Sequence, residues 1–211
     1  KLKDPKQTKG RRNMESRITL RNIKHAAFAS HETHCFEATV CLDGDRACKV
    51  ENDGQGGSDN YFKFQGQSDE SFDTMIIELR KACAEHLKET DPECYDQFVV
   101  KKVNVTDGET GNSETVTLRN EVNYSLLSDA CIEIVLCDVL NRSLITKEIK
   151  RSMRAKIMMS EVATGKIYEV KSKPDEETLE RVKKQYEPEY LVLNTLSEEE
   201  QFYHWTKTTE A

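Results

Sequence analysis

Three stretches of this chain bring together residue types whose spacing can do chemistry. The first is Asn52-Asp53-Gly54-Gln55-Gly56-Gly57, followed closely by Asp59, where three of the nine glycines fall within four residues. Glycines let successive backbone N–H groups turn toward an anion, and the Asn and Asp oxygens suit a hard cation. The same composition also makes an ordinary hairpin turn. Dinucleotide and P-loop sites need a strand, then glycines, then a helix N-terminus. Here the downstream residues 60–64 read as extended and no GK[ST] follows. Neighbouring acids would also repel phosphate unless a cation intervened. A tight turn that permits close backbone approach by a partner fits these residues better than a catalytic cradle.

The second stretch is His31-Glu32-Thr33-His34-Cys35. A zincin helix needs histidines four apart on one face, whereas these two are three apart and lie between extended patterns. The spacing predicts a surface turn. The adjacency of His34 and Cys35 is no evidence that they pair in space, and no nucleophile-elbow motif is present. The third stretch is a set of four cations, Lys147, Lys150, Arg151 and Arg154, at i, i+3, i+4 and i+7. On a helix all four share one face, which suits an array of phosphates, an acidic protein surface or simply solvent.

The elements that must position these residues are constrained by composition. The 211 residues are 36% hydrophobic and 33% charged, with a net charge of -7, which predicts a globular protein with thin cores. A strong negative balance argues against coating nucleic acid non-specifically. No run approaches the roughly 18 apolar residues of a membrane span, and the N-terminal residues lack a secretory signal's apolar core. The expected location is therefore the cytoplasm, that of a host cell if the chain is viral. Seven cysteines without a CxxC pair read as reduced, mainly buried thiols, and indicate neither zinc nor a disulfide framework. No cofactor is indicated.

Residues 1–13 form a basic arm, with Lys1, Lys3, Lys6, Lys9, Arg11 and Arg12 against Asp4. Extended patterns follow from Arg17, with a phase slip before Ile23 to Phe28 that fits a bulge. Phe36, Ala38, Val40 and Leu42 alternate with polar neighbours, and Asp43-Gly44 predicts a hairpin into Arg46 to Glu51. Ser68 or Asp69 can cap a helix whose apolar residues run from Phe72 to Leu87, and Thr90-Asp91-Pro92 stops it. Phe98 to Val105 reads as a strand paired with Thr115 to Leu118 across a polar loop. Val122 to Leu140 predicts a central helix, and a second helix after Asn141 carries Ile145, Ile149 and Met153 opposite the cations.

Ala163-Thr164-Gly165 predicts another hairpin, and Pro174 suits the first turn of a helix running to about Tyr186. Tyr190 to Asn194 reads as a short strand. Ser197 and Glu200 have capping-box spacing and open a last helix that Phe202, Tyr203 and Trp205 can dock.

The run Phe28-Ala29-Ser30-His31-Glu32-Thr33-His34-Cys35-Phe36-Glu37-Ala38-Thr39, followed by the Asn52 to Gly57 turn, resembles small uncharacterised proteins of bacteria and their phages. The resemblance extends to Lys166-Ile167-Tyr168-Glu169-Val170 and to Leu193-Asn194-Thr195-Leu196. It implies a prokaryotic or viral origin and a compact intracellular protein, and it carries over no catalytic residue.

The expected fold is α+β: an antiparallel β-meander with a covering helix over residues 14–105, then a helix-rich half with a small β-hairpin over residues 106–211. The stretch 106–120 is either a domain boundary or a long loop. The leading function is a non-catalytic accessory protein that docks on a protein or nucleoprotein through Asn52, Asp53, Gly54, Gly56 and Gly57, the cation face and the arm. Direct nucleic-acid binding by the cations, an enzyme acting on a nucleotide or phosphoester at the glycine turn, and mimicry of DNA by surface acids are the alternatives.

Overall fold

The computed structural model describes residues 17–106, 113–119 and 129–207, and the basic arm lies outside the described residues. The fold is α+β. A four-stranded antiparallel sheet is built from β1 (Ile18–His25), β2 (Cys35–Leu42), β3 (Asp45–Asp53) and β4 (Asn60–Phe62), in that spatial order. Asp43 and Gly44 both take positive φ, 52° and 91°, as the tight β2–β3 turn requires. The expected bulge is present: the β1–β2 register slips between Arg21 and Lys24, where Asn22 has φ 54°. Beyond His25 the chain is not extended as expected, because Ala27–Ala29 closes into a 3-10 turn.

Alternation puts Phe36, Ala38 and Val40 of β2 on one face with Cys48, Val50 and Asn52 of β3, all buried. The helix α1 (Asp69–Thr90) lies against β3 and buries Ile76, Leu79, Ala82, Cys83, Ala84 and Leu87. The Ser68 hydroxyl caps it by accepting from the Ser71 N–H. Arg17 ties the hairpin tip to this helix: its guanidinium forks onto both Asp43 carboxylate oxygens at 2.9 Å and reaches Glu85 at 2.9 Å. That fork holds the Asp43 carboxyl below its usual range.

Thr90-Asp91-Pro92 does more than end α1. Asp91 accepts the Cys94 N–H at 3.0 Å and Pro92 takes the first helical position, so a second helix, α2 (Pro92–Val99), starts at once. Phe98 and Val99 are therefore helical, and the expected strand begins two residues late, as β5 (Val100–Thr106). It pairs with β6 (Ser113–Arg119) in one antiparallel ladder. The loop tip between them lies outside the described residues.

The two helices expected on either side of Asn141 are a single helix, α3 (Ala130–Ala155). Asn141 is a weak helix former, but its cost of under about 1 kcal/mol is small beside the burial of its apolar neighbours. Leu136 and Leu140 are fully buried. The expected start of this helix, from Val122, falls outside the described residues. Two compact units, Lys1–Val139 and Leu140–Ala211, divide within α3.

In the second unit β7 (Ile157–Glu161) lies between β8 (Ile167–Val170) and β9 (Tyr190–Val192). The β7–β8 hairpin turns at Gly165, φ 73°, as expected. Helix α4 (Glu176–Tyr186) is capped by Asp175, and Pro174 sits just before that cap rather than in the first turn. Val182 packs on Ile157, Met159 and Val192, with Leu179, Tyr186 and Tyr190 at the margins. The strand β9 ends at Val192 and Leu193–Thr195 turns into a short 3-10 segment. Helix α5 (Glu198–Lys207) opens with the expected capping box: the Glu200 carboxylate accepts the Ser197 N–H at 3.0 Å. Phe202 lies under the Arg142 guanidinium at 4.5 Å, whereas Tyr203 is exposed and docks nothing in this helix's core.

Candidate functional site

The structure brings the first two sequence stretches together. Asn52 is 7% exposed at the end of β3, and its amide is used up locally. Its Oδ1 accepts the Thr33 hydroxyl at 2.7 Å and the Gly54 N–H at 2.9 Å, while Nδ2 donates to the Gly57 carbonyl and to Asp59, each at 2.9 Å. The Gly54 carbonyl accepts the backbone N–H groups of His31 and Glu32, and the Gly56 N–H points to the Thr33 hydroxyl. The loop therefore wraps the His31 to Cys35 turn.

This packing explains two of the glycines. Gly54 has φ 82°, and a Cβ there would stand 2.3 Å from the Ala29 carbonyl oxygen and 2.8 Å from the Cys35 Cβ. Gly56, with φ 85°, faces only the Glu32 carboxylate, and Gly57 has open space around it. The close backbone approach that the sequence predicted is made by the chain itself. Asp53 is exposed, and its carboxylate accepts the Gln55 N–H at 3.0 Å.

His34 meets His25 of β1, with Nδ1 to Nε2 at 3.3 Å and the rings edge-on. Burial and the second imidazole both lower the His25 pKa. Ser30 completes this corner by accepting the Cys35 N–H and donating to the Ala26 carbonyl. Braced on both sides, the Ala27–Ala29 turn holds Phe28 in solvent at 90% exposure. Nothing in the sequence pattern marked Phe28, because an apolar residue in an extended run reads as core.

Below the loop, Asp59 donates its backbone N–H to Glu133 of α3, and the Tyr61 hydroxyl is buried with no hydrogen-bond partner among the described residues. Burial raises the pKa of both groups, and the Glu133 charge adds to each shift. Among the described residues no group of three or more His, Cys, Asp or Glu side chains could hold a metal ion.

The cation face is a surface feature of the second unit. Lys147, Lys150, Arg151 and Arg154 are all exposed on α3, opposite the buried Ile149. Lys150 bridges to Glu198 at 2.8 Å, whereas no carboxylate among the described residues lies within ion-pair distance of Lys147, Arg151 or Arg154. The three span about 10 Å along the helix axis at roughly 1.5 Å per residue. Elsewhere in this unit an aromatic group escaped the sequence reading: Tyr168, Tyr186 and Tyr190 stack edge to face. Their signal was limited to single residues on three separate elements.

No helix among the described residues is long and apolar enough to cross a membrane. No protein-family model, curated protein or solved structure matches the chain significantly.

Proposed function

We propose that this chain is a non-catalytic accessory protein, of phage or bacterial origin, that docks on an acidic protein or nucleoprotein through the exposed cation row of α3. The observation that carries the reading is the row itself. In a chain of net charge -7, Lys147, Arg151 and Arg154 stand on one solvent face without a carboxylate partner among the described residues. Unpaired cations on a rigid helix steer and orient a negatively charged partner, and they lose little of their own hydration until contact. The glycine turn supports this reading indirectly, since its polar groups serve the loop itself and leave Phe28 as the outward-facing group.

The test is affinity capture from the native cell, with the wild type compared against a variant carrying Lys147→Ala, Arg151→Ala and Arg154→Ala. The variant is expected to recover at least about tenfold less partner, the loss of about 1.4 kcal/mol of binding. Equal recovery refutes the reading.

The same row favours a second reading, direct binding to nucleic acid. Three phosphate contacts give a log–log salt slope of about -2.7 on duplex DNA. A gel shift that shows no complex even at low salt removes it.

A further inference from the structure

The end of the sheet in the second unit frames one carboxylate with aromatic rings. Register places Glu161 of β7 opposite Tyr190 of β9, and Met159, two residues earlier, opposite Tyr168 of β8. Strand alternation therefore puts Glu161, Tyr168 and Tyr190 on the face that α4 covers. Tyr186, the last residue of α4, closes the group. The Tyr190 ring lies 5.7 Å from Tyr168 and 6.1 Å from Tyr186, centroid to centroid, with planes at 82° and 86°. Tyr168 remains 42% exposed.

The carboxylate is half-buried and half-used. Its Oε2 accepts the Thr164 hydroxyl and, at a long 3.4 Å, the Tyr168 hydroxyl. Its Oε1 has no donor among the described residues. Glu187 and Glu189, both exposed, flank Tyr186 and Tyr190 in sequence. Burial, then the charges of Glu161 and Glu189 among others, hold the Tyr190 hydroxyl above its usual pKa. Lys156 is engaged with Glu169 at 2.5 Å, and alternation sends Glu169 to the opposite face from Tyr168.

We propose that Glu161, Tyr168, Tyr186 and Tyr190 form a receptor for an arginine side chain presented by a basic segment of a partner protein. A guanidinium is planar, so it stacks on a phenol ring while donating N–H groups to the carboxylate beside it. Displacing the long Tyr168 contact costs little, and the free Oε1 supplies the second acceptor of a fork. The flanking acids complement a basic segment and repel nucleic acid. This receptor is separate from the cation row of α3 and does not depend on it.

The experiment is an NMR titration of the full chain, with tyrosine rings labelled, against a blocked Gly-Arg-Gly peptide and its neutral citrulline analogue. The arginine peptide is expected to move the Tyr168 and Tyr190 ring signals saturably, and the citrulline peptide to leave them in place. Glu161→Gln, which keeps the shape and removes the charge, is expected to weaken binding about tenfold or more. Tyr168→Leu weakens it about two- to fivefold, while Tyr168→Phe, which keeps the ring, stays near wild type. A flat titration with the arginine peptide, equal shifts with citrulline, or unchanged binding by Glu161→Gln overturns the proposal. Tyr168→Phe and Glu161→Gln are near-isosteric, so the test stands even if Tyr168→Leu does not fold.

Discussion

Two asparagines, one in each compact unit, do the same job in very different sequence settings. Asn52 sits in a glycine-rich turn of the kind that signals a ligand site, and Asn194 in an unremarkable stretch after β9. Asn52 closes the loop over the histidine turn through four hydrogen bonds. Asn194 accepts the Met158 N–H at 2.7 Å and donates to the carbonyls of Met153 and Lys156, each at 3.0 Å. Those carbonyls belong to the end of α3 and the residue beyond it, where a helix leaves acceptors without intrahelical partners. An amide whose hydrogen bonds all serve its own fold is architecture, whatever its neighbours look like. Glycine-rich composition marks a turn and leaves open whether its polar groups face outward.

Substitutions separate the two asparagines and their loops. Gly54→Ala should be the most damaging, by about 4 kcal/mol, because a Cβ meets backbone that cannot move aside and φ is positive. Chemical denaturation gives the value, and a loss under about 1 kcal/mol would mean that the loop is not clamped as described. Asn52→Ala, which leaves the Gly54 N–H and Gly57 carbonyl unpaired, should cost about 3 kcal/mol, and Asn194→Ala about 2 kcal/mol. If Asn52→Ala proves mild while Asn194→Ala is severe, the glycine loop is the freer of the two and regains its standing as a ligand site.

A pH series sharpens the same region. The Asp59 carboxyl is raised in the folded state by burial and, secondarily, by Glu133, so ionising it destabilises the fold as pH rises through its range. Asp59→Asn keeps an acceptor for Asn52 and removes that charge. Its melting temperature should exceed the wild type's by a margin that grows with pH and vanishes in acid. The smallest effect is expected at Gly57→Ala, within about 0.5 kcal/mol, since nothing lies within 4 Å of the added carbon. Equal damage at Gly54 and Gly57 would show that flexibility, not close approach, is what the loop needs.

Local chemistry was legible in the sequence. Asp43-Gly44, the bulge before Ile23, the Ser68 cap and the Ser197–Glu200 box are each written in a few adjacent residues, and each is present as expected. What escaped depended on distant residues. The continuity of α3 through Asn141 is decided by burial of Leu136 and Leu140, and the late start of β5 was missed because Pro92 opens a helix as readily as it closes one. The union of the histidine turn with the glycine loop rests on pairs 19 to 23 residues apart. The cation face was read correctly as a shared exposed face, since helical spacing alone determines it. The Tyr168, Tyr190 and Glu161 group was invisible because three strands must assemble before its members become neighbours.

One feature of the first unit gives the protein its own clock. Cys41 of β2, Cys48 of β3, Cys83 of α1 and Cys131 of α3 are all fully buried thiols, while Cys137 is exposed. Burial pushes the Cys48 thiol up to about 12 and Cys131 to about 11, so neither offers a thiolate while the core is closed. A thiol reagent therefore labels Cys137 first, the half-buried Cys35 and Cys94 more slowly, and the inner four only when sheet and helices part. The lag between the labelling of Cys137 and that of the inner four times the opening of the core, with no probe added to the chain.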